Sequence, residues 1–201
     1  MDLNIAKRIW LMIGLAAAVL VVVGSIGFVG AKGLQGIIRD INEETIPRVV
    51  AIDDIKSNVF LIRVGILRHS YAIEMVRKEG FDKEIAVSRA VIDQRLKEYE
   101  KLADGDEDKR MLAEDRKLYT AYLAALEKLR ELSNANDNAF IRISLDKDFD
   151  PVAEKLRTAL ETHQKYVREQ VASAGKSSEK TANFSTLLSA LIFSGLLSVA
   201  N

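Results

Sequence analysis

The sequence of 201 residues contains no cysteine, only two prolines and only 6% aromatic residues. The absence of cysteine excludes disulfide scaffolds, thiol redox enzymes and cysteine-ligated zinc sites. So few aromatic residues and prolines disfavour a β-sandwich or barrel, and no segment shows the period-two alternation of a half-buried strand. The composition therefore predicts a helical protein. The lack of cysteine is also compatible with an exported domain that does not rely on disulfides.

The net charge is zero, with 29 basic and 29 acidic side chains. This balance lacks the basic excess of a nucleic-acid-binding protein, so no nucleic-acid partner is expected. The charges are unevenly distributed along the chain. None occurs in residues 9–31 or 181–201, and 55 of them lie in residues 32–180. Two apolar segments therefore bracket one highly charged segment.

Residues 9–31 predict a first transmembrane helix, preceded by a cytoplasmic N-terminus at residues 1–8. A helix of this length spans ~34 Å, which is enough for a hydrocarbon core of ~30 Å. Lys7 and Arg8 favour the cytoplasmic side through the positive-inside bias. A cleaved signal peptide is the alternative, but its apolar stretch would be shorter, at ~7–15 residues.

Residues 184–201 predict a second transmembrane helix, truncated where the sequence ends. Its apolar stretch, Phe184–Ala200, reaches only ~26 Å, so we expect the natural protein to continue into the cytoplasm. A hydrophobic C-terminal core helix is the alternative. Residues 32–183 are then expected to form one domain outside the inner membrane.

The polar segment is typical of four helices. The first is predicted over residues 45–76, because apolar residues recur there at steps of three and four. This seam comprises Ile52, Ile55, Val59, Ile62, Ile66, His69, Ile73 and Val76. A second apolar row on a neighbouring face comprises Phe60, Val64, Leu67 and Tyr71. One helix with two apolar faces needs two partners, namely its own bundle and a second subunit.

The remaining boundaries follow from breaks in the pattern. A break at residues 78–80 precedes a second helix at 81–103, and an acidic turn at 104–108 precedes a third helix at about 109–135. The fourth helix begins at Pro151, a favoured first helical residue, while Pro47 is expected to kink the first. The predicted architecture is all-α: an antiparallel up-down four-helix bundle flanked by two transmembrane helices.

No motif of catalysis appears, whether a P-loop, HExxH or GxSxG. We therefore expect a module that is not an enzyme and has no cofactor or metal. The acidic run at 104–108 lacks the alternating ligands of a calcium loop. His69 and His163 both fall on seam positions, which predicts core packing, with pH sensing or ligand contact as the alternative.

Arg63 and Arg68 are the informative polar pair. They lie five residues apart, ~140° around the helix, and flank its apolar faces from opposite sides. In a symmetric dimer, Arg63 of one subunit and Arg68 of the other could converge on one anion, because guanidinium groups bind carboxylates bidentately. Ordinary surface salt bridges to Asp or Glu are the alternative.

With these residues in place, the whole chain resembles the N-terminal sensor module of bacterial methyl-accepting chemotaxis proteins. The resemblance rests on the layout and on two segments, residues 59–68 of the first bundle helix and residues 149–152 at the start of the fourth. It implies that a small carboxylate or amino-acid ligand binds between the subunits of a homodimer formed through the first bundle helix. The implied ligand-binding residues are Arg63, Arg68, Phe149, Asp150 and Val152. A third arginine and a hydroxyl residue of the family pattern are replaced here by Ala72 and Val152.

The resemblance also implies a location and an output. The sensor domain would be periplasmic and the chain would lie in the bacterial inner membrane. The second transmembrane helix would pass the signal to cytoplasmic domains, which act on a kinase–adaptor complex and control chemotaxis. The same sensor type on a histidine kinase or a diguanylate cyclase is one alternative. A membrane-anchored structural bundle without a ligand is another.

Overall fold

The computed structural model describes residues 5–199, and these residues are helical apart from short connections. The helices are α1 (Ile5–Asp40), α2 (Ile46–Tyr71), α3 (Met75–Leu102), α4 (Gly105–Asn134), α5 (Asn138–Ser144) and α6 (Asp150–Val199), and two π-helical turns occupy Ile41–Thr45 and Leu145–Phe149. No strand occurs in this range. The chain forms two compact units. One is residues 42–170, and the other comprises the chain up to Ile41 together with the chain from Val171.

The unit of residues 42–170 is a four-helix bundle made by α2, α3, α4 and the first part of α6, which confirms the predicted all-α bundle. Connections of two or three residues join α2 to α3 and α3 to α4, so these neighbours run antiparallel. The core contains apolar side chains from all four helices, and the largest that are fully buried are Tyr99, Tyr122, Phe149, Ile52, Ile62, Ile66, Ile92, Leu126, Leu129, Leu156 and Leu160. The seam predicted on α2 is therefore confirmed as far as His69.

The first predicted break is wrong, because α2 ends at Tyr71 and the connection is residues 72–74. Ile73 and Val76, the last two residues of the predicted seam, are exposed. The predicted break at 78–80 lies inside α3, where Lys78 is buried. Its ammonium group donates to the carbonyl of Ser133 and to the amide oxygen of Asn136, the latter at 2.8 Å. These bonds satisfy acceptors at the end of α4 and tie the first turns of α3 to it.

The predicted acidic turn at 104–108 is also shorter than expected. Only Ala103 and Asp104 connect α3 to α4, and Gly105 begins α4 with a φ of 74°. Asp106, Glu107 and Asp108 form the first helical turn. Carboxylates are favourable there because the amide groups at a helix start carry partial positive charge.

Each of the two prolines follows a π-helical turn by two residues. Proline has no amide hydrogen, and its ring collides with the carbonyl group four positions earlier. Those carbonyls belong to Glu43 and Lys147, and both lie within the π-helical turns. The wider winding relieves the clash. Pro47 therefore changes the helical winding without ending the helix, which runs from Ile5 to Tyr71.

In the other unit, α1 carries the long apolar segment. Its most apolar stretch of 18 residues is not buried at all against protein, and this is the one helix among the described residues long and apolar enough to cross a membrane. Trp10, Leu20 and Phe28 are among its exposed large side chains. This exposure distinguishes α1 from the core helix of a bundle, and leaves a membrane span or a signal sequence.

The second predicted span cannot be compared in the same way. Residues 1–4 and 200–201 lie outside the described residues, as do most side chains from 184 onward. The predicted span at 184–201, and the first half of the predicted N-terminal segment 1–8, therefore remain predictions.

Candidate functional site

Arg63 and Asp150, two of the predicted ligand-binding residues, lie together in the structure. Arg63 projects from the middle of α2, and Asp150 is the first residue of α6, immediately after the π-helical turn. The Arg63 Nη2 atom donates to Asp150 Oδ1 at 2.8 Å. The two side chains remain 41% and 39% exposed. An ion pair this open to water contributes only ~0–1 kcal/mol, so Arg63 can exchange its partner at little cost.

A cleft of about 210 Å³ opens beside this ion pair, between α2 and α6. It is lined by Lys56, Val59, Phe60, Arg63, Tyr122, Ala153, Arg157, Leu160 and Glu161. The apolar residues in this set form a hydrophobic surface for the carbon skeleton of a small molecule. Three cations and one carboxylate stand among them. The arrangement suits an organic anion, because cationic groups can bind its charge while its carbon skeleton covers apolar surface.

Lys56, Arg157 and Glu161 were not among the predicted site residues. They could have been inferred from the pairing of Arg63 with Asp150. Because α2 and α6 run antiparallel, that pair also sets Lys56 opposite Arg157: Lys56 is seven residues before Arg63 on α2, and Arg157 is seven residues after Asp150 on α6. Arg157 is bonded within α6 to Glu154 and Glu161. The Lys56 ammonium group donates to the Gln164 side chain at 2.8 Å.

Arg68 lies on the other side of α2. Its Nη1 atom is 3.2 Å from Glu84 Oε2, and its guanidinium group sits over the Phe81 ring at 4.4 Å. A separate cavity of about 310 Å³ is lined by Leu61, Val64, Gly65, Arg68, Glu84, Val87 and Ser88. Within one protomer, then, Arg63 and Arg68 belong to different cavities, and each pairs with a carboxylate of its own chain.

Phe149 and Val152 belong to the core and do not line the cleft. Phe149 is completely buried and packs against Tyr122, with their ring centroids 5.0 Å apart. Val152 is partly buried against the same core. Tyr122 lines the cleft and donates its hydroxyl hydrogen to the carbonyl of Val59 at 3.1 Å. Burial raises the pKa of the Tyr122 phenol, so it stays a neutral hydrogen-bond donor.

Both histidines are buried, which confirms their predicted position in the core. The Nδ1 atom of His69 is 2.7 Å from the Ser133 hydroxyl, and its Nε2 atom is 3.6 Å from Asp82 Oδ1. Burial lowers the pKa of His69 more than the Asp82 carboxylate raises it, and Lys78 and Arg130 lower it further. His69 is therefore neutral near pH 7. His163 lies at the other end of the bundle, among acidic residues.

No group of three or more histidine, cysteine, aspartate or glutamate residues with the geometry of a metal site was found among the described residues.

Residues 2–182 match the model of a family described as a four-helix-bundle sensory module for signal transduction. The match covers the bundle, the apolar N-terminal segment and the first twelve residues of α6 after the bundle, 171–182. None of the curated proteins matches the chain.

Proposed function

We propose that the chain, which belongs to the family of four-helix-bundle sensory modules for signal transduction, is the sensor of a membrane receptor. The proposed ligand is a small carboxylate that binds at Arg63. The observation that carries the proposal is the cleft between α2 and α6. Its rim holds Lys56, Arg63 and Arg157 beside one carboxylate, Glu161. A carboxylate ligand would compete with Asp150 for Arg63, a partner the arginine can release cheaply.

Dimerisation through α2 is the second part of the proposal. Phe60, Leu61 and Tyr71 are exposed large apolar side chains on the outside of this helix. At ~100° per residue, the row of residues 60, 64, 67 and 71 lies between Arg63 and Arg68. A second copy of the chain packed on this row would bury it. It would also bring Arg63 of one protomer toward Arg68 of its partner.

Anchoring in a membrane is the third part of the proposal, and the exposure of α1 supports it. Its apolar side chains face outward along the helix, with none of the most apolar stretch covered by protein. Lipid would remove this surface from water, at a gain of ~25 cal/mol per Å². The polar bundle then stands outside the membrane, as the sequence pattern predicts.

The signal is proposed to travel along α6, a helix of 50 residues. Its first turns supply Asp150, Arg157 and Glu161 to the ligand cleft, and its later turns continue beyond the bundle. A ligand shifts α6 only if it binds one arrangement of α2 and α6 more tightly than another. The exchange of Asp150 for a ligand carboxylate at Arg63 is such a difference. We propose cytoplasmic signalling domains for chemotaxis as the output.

A thermal-shift panel of small carboxylates and amino acids tests the proposal and identifies the class of ligand. The full chain is used in lipid nanodiscs, beside Arg63→Gln and Arg68→Gln. We expect one class of carboxylate to raise the unfolding temperature of the wild type, and the shift to vanish in Arg63→Gln.

The Arg68→Gln variant separates two ligand positions. Loss of the shift in both variants would indicate a ligand held across the dimer interface. Loss in Arg63→Gln alone would indicate a ligand within the cleft of one protomer. An undiminished shift in both variants would contradict the proposed site.

A further inference from the structure

A polar cluster, separate from the ligand cleft, lies in the core. It is at the end of the bundle that contains Asn42 and Gln170, the first and last residues of this unit. All four bundle helices contribute to it. Its members are Arg48 from α2, Tyr99 from α3, Asp108 and Asp115 from α4, and His163 from α6. Each of the five side chains is less than one tenth exposed. The cluster and the ligand cleft have no residue in common.

His163 lies at the centre of the cluster. Its Nδ1 atom is 2.6 Å from Asp115 Oδ2, and its Nε2 atom is 2.7 Å from Asp108 Oδ1. Tyr99 donates its hydroxyl hydrogen to Asp108 Oδ1 at 2.6 Å and lies 2.9 Å from His163 Nε2. Arg48 donates to Asp108 Oδ2 at 3.0 Å. Both ring nitrogens of His163 therefore face carboxylate oxygens.

Two carboxylate oxygens within hydrogen-bond distance of the two ring nitrogens favour a doubly protonated imidazole. A neutral histidine has one nitrogen with a lone pair and no hydrogen, and that lone pair would point at a carboxylate oxygen. With both nitrogens protonated, each donates a charge-assisted hydrogen bond. Two cations, Arg48 and His163, then balance two carboxylates, Asp108 and Asp115. Loss of the His163 proton would leave a buried negative charge without a counter-charge, which is strongly unfavourable.

We propose that this cluster is a proton-binding site through which external pH acts on α6, as a sensory input separate from the carboxylate cleft. His163 joins α6 to two carboxylates of α4, Asp108 and Asp115. Its protonated form holds α6 against Asp108 and Asp115, and its neutral form releases that attachment. Protonation thus stabilises one arrangement of α6 relative to the other three helices.

A groove gives solvent a route to the site. Between α4 and α6, a depression of about 460 Å³ includes Asp115 in its lining, together with Arg110, Glu114, Lys155 and Thr162. Asp115 is hydrogen-bonded to His163 on its inner side. The groove therefore brings solvent next to the carboxylate that is hydrogen-bonded to His163.

The neighbouring groups set which residue titrates. Burial lowers the pKa of His163, but the hydrogen bonds and charges of Asp108 and Asp115 raise it by more, so it lies above its ordinary value of ~6.5. Burial raises the pKa of Asp108, but hydrogen bonds from His163, Tyr99, the Asp104 amide and Arg48 outweigh it and hold that pKa well below its usual range. Burial and the hydrogen bond to Asp108 raise the pKa of Tyr99 far above its ordinary value. Of these three groups, His163 is therefore the one that we expect to titrate, with a pKa above its ordinary value.

The sign of the coupling follows from linkage. A base whose pKa is raised by folding stabilises the folded state fully below its unfolded pKa. That contribution is lost as pH rises through the raised pKa of the folded state. Acidification therefore tightens the attachment of α6, and alkalinisation loosens it.

Proton NMR of histidine-labelled chain tests the site directly. The chain has two histidines, so the imidazole signals of the full protein in nanodiscs can be assigned with one variant, His69→Gln. We expect the His163 signal to titrate with a midpoint above 6.5, the ordinary value. In Asp115→Asn the midpoint should fall by about one unit or more, because one carboxylate is removed. A His163 midpoint at or below the ordinary value in the wild type would overturn the proposal.

The link to α6 needs a second measurement. The sequence has no cysteine, so Ser57→Cys on α2 and Lys165→Cys on α6 can carry spin labels without background. We expect the label–label distance to change across the same pH interval in which His163 titrates. In Asp115→Asn the midpoint of this change should move down together with the His163 midpoint. A distance that does not respond to pH, or a midpoint that fails to follow the imidazole, would overturn the coupling.

Discussion

At the scale of single residues, the segment at the start of α6 combines core and surface roles. Phe149, Asp150 and Val152 are predicted ligand contacts, but their side chains lie in different surroundings. Phe149 is entirely buried against Tyr122, whereas Asp150 reaches the rim of the cleft and pairs with Arg63. A sequence motif gives the order of such residues but not which of them faces inward, because the π-helical turn before Pro151 changes the helical phase.

Replacement of Phe149 tests this assignment. Because its ring is fully buried, Phe149→Ala should lower the free energy of unfolding by ~3–5 kcal/mol, measured by urea denaturation. Val152→Ala is the matched control, and it should cost less because Val152 is only partly buried. If Phe149→Ala instead unfolded like the wild type and lost only ligand affinity, Phe149 would be a ligand contact and not a core residue.

The lowered pKa of His69 predicts how the free energy of unfolding changes at acid pH. Burial keeps this imidazole neutral, so its pKa in the folded chain lies below the ordinary value of ~6.5. The unfolded chain then takes up more protons as pH falls through ~6.5, and the folded state loses stability there. We expect His69→Gln to reduce the fall in the urea midpoint between pH 7.5 and 5.5. An equal fall in variant and wild type would contradict this role.

At the scale of helices, the number of bundle helices and most core positions could be predicted, whereas their ends could not. The seam residues of α2 from Ile52 to His69 are buried as expected, because a period of three and four residues reports directly which face is covered. The break expected at 78–80 contains Gly80, and glycine has a helix propensity poorer than that of alanine by ~1 kcal/mol. Bonds from the buried Lys78 to the end of α4 outweigh that preference. These contacts join residues more than 50 positions apart, and no local pattern reveals them.

Two glycines provide a matched test of this account. Gly80 lies within α3 with no heavy atom within 4 Å of an added Cβ, so Gly80→Ala should stabilise the protein by ~0.5–1 kcal/mol. Gly65 lies where α2 meets α3, and an added Cβ would lie 2.8 Å from Cγ1 of Ile85. Gly65→Ala should therefore destabilise it, since overpacking costs ~1–3 kcal/mol against a propensity gain of ~1 kcal/mol. Urea unfolding measures both. No gain in stability from Gly80→Ala would favour a break at 78–80.

At the scale of the whole molecule, the described residues comprise the exposed apolar helix α1, the polar bundle and the long helix α6. The first part of α6 belongs to the bundle, and the part from Val171 belongs to the other unit. The polar segment and the apolar N-terminal segment could be predicted from the charge distribution, because 55 charged residues are confined to residues 32–180. The four helices of the bundle required the recurrence of apolar residues at steps of three and four. The site was only partly predictable. Arg63 and Asp150 follow from the motif, but Lys56 and Arg157 require the register between α2 and α6, which side-chain packing sets.

Dimerisation through α2 gives a prediction at this scale. Val64→Cys introduces one thiol at a half-buried position in the second apolar row of α2, in a chain with no other cysteine. We expect rapid disulfide formation between two chains in nanodiscs or membranes, read out by gel electrophoresis. Lys97→Cys, at an exposed position of α3, is the control and should cross-link slowly. Equal cross-linking of both variants would argue against this interface.

The most direct test of the account is titration calorimetry of the full chain with the best carboxylate from the panel. Arg63→Gln is compared with Arg89→Gln, which breaks the Arg89–Glu127 ion pair at 2.9 Å, with side chains 38% and 41% exposed. The Arg89–Glu127 ion pair resembles the Arg63–Asp150 ion pair in distance and exposure, but it lies outside the cleft. The account predicts ~10- to 100-fold weaker binding in Arg63→Gln, as for the loss of a hydrogen-bonded charge worth ~1.5–3 kcal/mol, and unchanged binding in Arg89→Gln. Equal affinities in all three proteins would contradict it.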